Sequence, residues 1–568
     1  MKTRFIVVVG GVISAVGKGV TTASLGKIFK AYGYKTTLIK IDPYINYDAG
    51  TLRPTEHGEV WVTDDGGEID QDLGTYERFL QEDLPKKNNI TTGQIYHEVI
   101  QKERKGCYLG ETVRFIPHVI NEIRDRIKAA ADGYEMAIIE LGGTIGEHEH
   151  QQYLLALKSL EQEYGASYVT YLLVTYLPIP HHIHEMKTKP TEVAIKLLRQ
   201  SGIIPHFIIC RAPQEVDAIR KTKIQTYANI AKEHVISLPD VETIYEVPLV
   251  LERRKLAHYI FRHFDIPPKR LGNWSNWEQL VTNIKEPEQE INIAIVGKYV
   301  DIGDYQLADS YVSVYEALCH AGAQQHCKIN ITWVQSTLLH KDVQAVEQLN
   351  KFDGILVPGG FGDTGVEGKI KAIEYARLHN IPYLGLCYGM QLAVVEFARH
   401  VCLLEGAHTT EINPDTAYPV IDILPWQKEL LAGHKYGGTM RLGAYSAQLK
   451  EDSLVARLYQ KNWVNERHRH RYEVNPVFID VIEQKGLCFS GYHERQDSTK
   501  LMEFIELPDH RFFVATQAHP EFTSKLGAPN PLFHGFVTAA REFAQQACNM
   551  QPYHYESPQD QRHDTQAI

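Results

Sequence analysis

A continuous apolar run, Phe5 to Val9, stops at Gly10-Gly11 and gives way to apolar residues at Leu25, Ile28, Phe29 and Tyr32, which end before Gly33. The run is too short for a helix and lacks polar alternation, as in a strand covered on both faces; the residues after it recur every three or four positions, as on one helix face. A strand, a glycine loop and a helix in that order make the unit of a parallel sheet, since parallel neighbours are reached only through a crossover. More apolar runs at 37 to 41, 135 to 141, 169 to 174 and 206 to 210 alternate with helical patterns, so residues 1 to 270 are predicted to form one α/β domain.

From 271 to 291 the alternation weakens and polar residues dominate, which reads as a linker. INIAIVGKY then opens a new strand at Ile291, and a second α/β domain is expected over 292 to 545. A chain of 568 residues exceeds what one core serves, in keeping with two domains, and the polar stretch 546 to 568 is expected to be a disordered tail. The fold class predicted is α/β in two domains, the first Rossmannoid and P-loop-like. No stretch approaches 18 uninterrupted apolar residues and no secretory leader pattern stands at the N-terminus, so a cytosolic protein is expected.

Composition narrows the ligands. A formal charge of -11 disfavours nucleic acid and anionic membranes as partners while leaving room for a local basic pocket. The eight cysteines show no CxxC pair and no zinc spacing, and the 27 histidines, HHIH at 181 to 184 included, form no second cluster at ligand spacing.

In YLGLCYGMQLAVVEFARH, Cys387 lies between Gly385 and Gly389, after a short strand and before a helix. G-x-C-x-G is the form of a nucleophile elbow, in which small flanking residues allow a tight turn that exposes the thiol at a helix N-terminus. FFVATQAHPEF supplies a base, His519, and an orienting carboxylate, Glu521, spaced so that both project the same way from an extended segment. FDGILVPGGFG brings Gly359 and Gly360 to the end of a strand, where backbone N–H groups can meet an oxyanion together with the Tyr388 N–H.

The first glycine loop, GGVISAVGKGVTTASLGK, puts Lys18 where a P-loop lysine neutralises phosphate oxygens, although Gly19 stands in place of the usual Ser or Thr. Asp72 in EIDQDLG and Glu140 at the end of EMAIIEL offer carboxylates at the sheet edge for a metal.

Cys387, His519 and Glu521, with PGGFG upstream, resemble the class I (triad) glutamine amidotransferases. That resemblance implies a cysteine that attacks the glutamine carboxamide and a substrate held by Gly360, Tyr388, Gly389, Met390, Gln391, Glu411 and Arg471. GGVISAVGKG, KIDPYIN, HGEV, DQDLGTYERF, TTGQIY, ELGGTIG and KTKPTE, followed by GGTMRLG and ERHRHRYEVN, fall in the order of the CTP synthase family, a resemblance that covers roughly residues 1 to 545. It implies ATP-dependent amination of UTP at C4 through a 4-phosphorylated intermediate, with ammonia drawn from glutamine through an enclosed passage. ATP would meet Ala15, Val16, Gly17, Lys18, Gly19, Val20 and Asp72. UTP or CTP would meet Ser14, Glu147, His148, Glu149, Lys187, Thr188, Lys189, Pro190, Thr191, Glu192 and Lys223. Lys18 and Lys40 would serve phosphoryl transfer, and Asp72 with Glu140 would hold Mg²⁺. A homotetramer, filament formation, GTP activation and CTP feedback are further implications.

Three departures stand out. Glu192 replaces the glutamine of KTKPTQ, and its carboxylate would repel phosphate unless Lys187 or Lys189 compensates. His150-Gln151-Gln152 follows the acidic stretch where Leu-Pro-Phe is common, which predicts altered CTP inhibition. DILPWQKELLAGHKYGG is short and lacks an arginine associated with GTP activation. Two other readings stay open, an amidotransferase with another oxo-heterocycle as acceptor and a non-catalytic paralogue kept for assembly.

Overall fold

The computed structural model describes residues 2–53, 58–297, 301–302, 305–306, 311–424, 427 and 440–550. Nine strands belong to the first domain: β1 (Arg4–Gly10), β2 (Thr36–Asp42), β3 (Val60–Val62), β4 (Glu68–Asp70), β5 (Asn89–Thr91), β6 (Met136–Leu141), β7 (Val169–Tyr176), β8 (Phe207–Ala212) and β9 (Val235–Pro239). Seven of them make one parallel sheet in the order β5-β2-β6-β1-β7-β8-β9, and β3 pairs with β4 as a separate antiparallel ribbon. The period of two along β1 shows why the run is apolar throughout. Phe5, Val7 and Val9 enter one core, Ile6 and Val8 the other, and all five are shielded from solvent.

Helix α1 (Lys18–Ala31) leaves the loop after β1, α2 (Asp72–Leu80) follows β4, α3 (Lys189–Gln200) follows β7, and α4 (Ala218–Ala228) follows β8. The segment expected to be a linker carries a helix of its own, α5 (Ser275–Lys285). Its apolar residues are few but fall on one face, where Trp277, Leu280 and Val281 are buried and the Trp277 indole packs against Phe79 and Tyr245. The polar composition of 271 to 291 concealed that stripe.

The second domain contributes β10 (Gln289–Gly297), α6 (Val312–Gln324), β11 (Cys327–Gln335), β12 (Gly354–Val357), β13 (Tyr383–Leu386), α7 (Tyr388–His400), β14 (Arg441–Leu449), β15 (Trp463–His470), β16 (Cys488–Glu494), β17 (Lys500–Glu506), β18 (Phe513–Thr516) and α8 (Pro531–Met550). One nine-stranded sheet runs β11-β10-β12-β13-β18-β17-β16-β14-β15, parallel through its first five strands and antiparallel beyond. Helix α8 continues to Met550, past the expected end of the domain at 545, while residues 551–568, where most of the expected disordered tail falls, lie outside the described residues. No helix among the described residues is long and apolar enough to cross a membrane.

The domains share a core. Phe522 and Leu526 of the second domain pack into the apolar cluster of the first, with the Phe522 ring 4.9 Å from Trp61. Around this seam Arg467, fully buried, contacts Asp64 at 2.6 Å, Glu77 at 2.9 Å and Asp83 at 3.2 Å, and Arg469 contacts Glu68 at 2.8 Å. Charges withdrawn this far from water stand only when paired, so the ion pairs fix how the domains dock.

On the opposite flank, His206 accepts from the Tyr171 N–H through Nδ1 at 3.1 Å and lies 4.4 Å from the His263 ring. Burial, then the neighbouring His263, pulls the His206 imidazole down to about 4. Its unfolded value is 6.5, so below that pH the unfolded chain binds the proton and the native state does not. Stability is therefore complete above pH 6.5 and falls as pH drops toward 4, by on the order of 3 kcal/mol. Urea unfolding at several pH values should show this slope in the wild type and a weaker one in His206→Gln.

Candidate active sites

Two sites lie at the C-terminal ends of the parallel strands, one in each sheet. In the second domain β13 runs straight into Cys387, whose φ of 50° is uncommon for a residue with a side chain. The Cys387 N–H donates to the Thr516 carbonyl at 2.7 Å, and helix α7 begins at the next residue, so a strained turn held between two strands presents the thiol.

After β18, the His519 N–H donates to the Arg467 carbonyl at 2.7 Å, and His519 Nδ1 donates to Glu521 Oε1 at 2.7 Å. Glu521 is 2% exposed. Burial alone would disfavour the imidazolium, but Glu521 and then the Cys387 sulfur reverse this and hold His519 well above its ordinary value. The pair is thereby set to carry a proton beside the sulfur, as an acyl-transfer triad requires. Gly359 packs against the ring, and a Cβ there would lie 2.9 Å from His519 Cε1, so any side chain would push the base from its place.

A cavity of about 280 Å³ holds Gly360, Cys387, His519 and Glu521 together. The other expected glutamine contacts, Tyr388, Gly389, Met390, Gln391, Glu411 and Arg471, are not among the residues that line it. Tyr388 OH donates to the Gly362 carbonyl at 3.1 Å and Glu411 Oε1 accepts from the Gly362 N–H at 2.9 Å, so both brace the PGGFG loop. Gln391 donates to the Tyr472 carbonyl at 3.0 Å and to Gln517 Oε1 at 3.1 Å. The Arg471 carbonyl accepts from Gln427 at 2.6 Å. Gly389 and Met390 sit in the first turn of α7, and the fully buried Met390 side chain belongs to the core.

Sequence reasoning missed two parts of this site. Gln517 donates to Cys387 Sγ at 3.6 Å, and it stands in the quoted TQAHPEF without a role. The far wall of the cavity comes from the first domain, as Gly50, Leu52, Glu59 and Val60. Glu59 and Val60 are the last two residues of HGEV, but only the tertiary fold brings them to Cys387.

In the first domain the loop after β1 and the ends of β2 and β6 enclose a second cavity of about 510 Å³, lined by Ser14, Ala15, Val16, Gly17, Lys18, Gly19, Val20, Lys40, Asp72 and Glu140. Lys18 Nζ donates to the Gly143 carbonyl at 2.8 Å, and burial lowers its pKa. Lys40, only 4% exposed, reaches between Asp72 and Glu140 Oε1, the latter at 3.0 Å. Burial opposes its charge, yet Asp72 and Glu140 outweigh burial and hold it protonated, well above its ordinary range. Gly19, the departure from a P-loop, now has a reason: a Cβ there would stand 2.6 Å from Asp72 Oδ1. Asp42 and Asp70, which drew no notice in the sequence, line the same cavity. Burial raises Asp42 to about 6 and Asp70 to about 8, with neighbouring carboxylates adding to both shifts. So many oxygen donors against Lys40 and Lys18 leave an excess of negative charge that suits a hard divalent cation.

Beside this cavity, the expected pyrimidine-nucleotide residues fall in two groups. In the first, Glu147 accepts from Thr144 Oγ1, and His148 and Glu149 lie exposed in a single turn. His150 is buried and meets the Gly142 carbonyl at 2.5 Å through Nε2, which ties the divergent segment to the end of β6. In the second, Thr188 precedes α3, Lys189 and Pro190 start it, and the buried Thr191 bonds Thr175 at 3.1 Å. The compensation of Glu192 matches the sequence expectation for Lys189 but not for Lys187. Lys187 pairs with Glu185 at 2.6 Å, whereas Glu192 is met by Lys223 at 2.9 Å, Thr188 Oγ1 at 2.8 Å and Lys189 at 3.7 Å. Lys223 reaches it from α4, a contact that local sequence does not encode.

Comparison with known proteins finds a family model over each of the two domains. The family model described as CTP synthase N-terminus matches residues 4–266, and that of class I glutamine amidotransferases matches residues 306–539. A CTP synthase of Thermococcus gammatolerans is 50% identical over 540 residues, covering 95% of this chain and 99% of that protein. One from Methanocaldococcus jannaschii is 49% identical over 542 residues, covering 94% and 98%. A solved structure, the Trypanosoma brucei CTPS glutaminase domain with bound acivicin, is 38% identical over 44% of this chain and 94% of that one, with a TM-score of 0.41. With half of its residues identical to such relatives along nearly their whole length, this chain belongs to the CTP synthase family.

Proposed function

We propose that the protein is a glutamine-dependent CTP synthase, which uses ATP to activate the C4 oxygen of UTP and replaces it with ammonia made at Cys387. One observation carries the reading: the cavity around Cys387, His519 and Glu521 is closed by Gly50, Leu52, Glu59 and Val60 of the nucleotide-binding domain. A glutaminase working alone has no use for such a wall; one that must deliver neutral ammonia to a second site does. Synthesis of CTP from UTP and ATP with either glutamine or ammonium tests it, and hydrolysis of glutamine with amination of a different oxo-heterocycle would replace UTP as the acceptor.

In the glutaminase half, the Cys387 sulfur attacks the carboxamide carbon, His519 gives its proton to the departing nitrogen, and Glu521 keeps the imidazole oriented. Gly360 and Tyr388 N–H groups stand at the oxyanion. In the other half, Lys18 and Lys40 offset charge on the transferring phosphoryl group. Asp72 and Glu140 would hold Mg²⁺, with Asp42 and Asp70 next to them. The ion, when bound with ATP, neutralises the phosphate oxygens that the two lysines leave uncovered.

Exposed apolar residues Ile100, Leu109, Phe115 and Ile116, between 59% and 94% accessible, support a homo-oligomer, which we take as the homotetramer. The cysteines whose side chains are described are all free of disulfides, which supports the cytoplasm. For GTP activation, the segment in question lies outside the described residues over 425–426 and 428–439.

The Glu192 geometry yields a quantitative expectation. Lys223 and Lys189 spend their charge on this carboxylate, which they and Thr188 hold below its ordinary pKa against the upward pull of burial. Glu192→Gln frees Lys223 for a triphosphate, so the UTP KM should fall by about 5-fold, near 1 kcal/mol. Steady-state kinetics with UTP varied at saturating ATP and ammonium checks it.

A further inference from the structure

Glu59 belongs to the first domain yet faces the triad of the second. It lines the cavity with Cys387, His519 and Glu521, and its Oε2 accepts from the Ser313 N–H at 2.9 Å. Ser313 is the second residue of α6, so Glu59 occupies the N-terminus of a glutaminase-domain helix from across the domain seam. Behind it, Arg78 donates to Ser313 Oγ at 2.8 Å, and Arg469 stands at the rim of the cavity. The charged and titratable groups that share the cavity or the Ser313 contact with Glu59 are Glu521, His519, Cys387, Tyr311 and Arg469 in the cavity lining and Arg78 behind Ser313.

We propose that Glu59 is a positioning residue of the glutaminase site that exchanges protonation states with His519, so that the triad runs at full rate only when the two domains are docked. The inference rests on the glutaminase reading above. In the resting site His519 carries a proton between Glu521 and the sulfur, and an ionised Glu59 adds a second carboxylate to balance the cation. When the C–S bond forms and the C–N bond breaks, the His519 proton leaves on the nitrogen and Glu521 loses its partner. Two facing carboxylates then repel, and Glu59 takes one proton from solvent. During deacylation His519 takes the proton of the attacking water, the C–S electron pair returns to sulfur, and Glu59 gives its proton back. Consistent with this, burial and then Glu521 already raise Glu59 to about 7. Ionised Glu59 also holds the α6 N-terminus most firmly, so the active resting form is the charged one.

The test is the pH dependence of kcat and kcat/KM for glutamine hydrolysis by the full-length protein, from about pH 6 to about pH 9, in wild type, Glu59→Gln and Glu59→Asp. Wild type should show activity rising through an inflection near 7. In Glu59→Gln, an acceptor that cannot titrate, that inflection should vanish and kcat should fall about tenfold while KM for glutamine stays within about twofold. Glu59→Asp should keep an inflection at a displaced pH. Superimposable profiles for wild type and Glu59→Gln would overturn the proposal. Should Glu59→Gln fail to fold, as judged by loss of ammonia-dependent synthesis, the Asp variant decides: a displaced inflection supports the proposal and an unmoved one overturns it. A wild-type protein that hydrolyses no glutamine at any pH would instead overturn the glutaminase reading itself.

Discussion

Cys387→Ala is expected to lower glutamine-dependent CTP formation by about 10⁴-fold or more, while formation from ammonium continues. The asymmetry follows from where the residue sits. Its sulfur is the bond-forming atom of one site, and its side chain has no part in the cavity that contains Lys18, Lys40 and Asp72. Alanine fits the strained turn sterically, because the Cys387 backbone is held by the Thr516 carbonyl and by the first turn of α7 rather than by the side chain. Initial rates of CTP formation with each nitrogen source, from the same preparation, give the answer. Equal loss with both sources would mean that the sites are not separable.

Lys40→Ala should fail in the opposite pattern, losing about 10³-fold with glutamine and with ammonium alike. This lysine is the buried cation between Asp72 and Glu140, with Asp42 at 3.8 Å. Its removal deprives the transferring phosphoryl group of a counter-charge and leaves carboxylates facing one another without it. Breaking a buried ion pair on one side costs about 3 to 5 kcal/mol, so the variant should also unfold at lower denaturant concentration. Glutamine hydrolysis at Cys387 persists in this variant, which separates loss of phosphoryl transfer from loss of fold. Denaturant titration alongside the two rates reads both effects. A Lys40→Ala protein with ordinary CTP synthesis would remove Lys40 from the mechanism.

Most of what made the fold legible was local. Apolar runs covered on both faces, such as Phe5 to Val9 and Ile293 to Val296, announce parallel strands because each alternate residue meets a different core. The elbow at Cys387 is also local, and His519 and Glu521 do meet beside it, but Glu521 lies in a 3₁₀ turn, Pro520–Phe522, rather than on the extended segment that the two-residue spacing predicted. Helix α5 was hidden because only Trp277, Leu280, Val281 and Asn283 of its eleven residues are buried, too thin a stripe to rise above the polar background.

Contacts that join distant segments were out of reach. Lys223 as the partner of Glu192, Arg467 as the clamp on Glu77, and Glu59 as a wall of the glutaminase cavity each pair residues whose neighbourhoods in sequence carry no sign of the other. Asp42 and Asp70 could have been found by the same reasoning that singled out Glu140, since Asp42 and Asp70 also end strands. Their motifs, KIDPYIN and EIDQDLG, were visible, but the convergence of four carboxylates on Lys40 exists only in the folded sheet.

The central claim is that ammonia passes inside the molecule from a cavity walled by both domains to the nucleotide site. It is tested most directly by supplying glutamine labelled with heavy nitrogen at the amide, together with excess unlabelled ammonium, and measuring the label in CTP. Internal delivery predicts CTP that carries far more label than the free ammonium pool. Label in CTP equal to that of the free pool would show that ammonia escapes before it is used and would contradict the account.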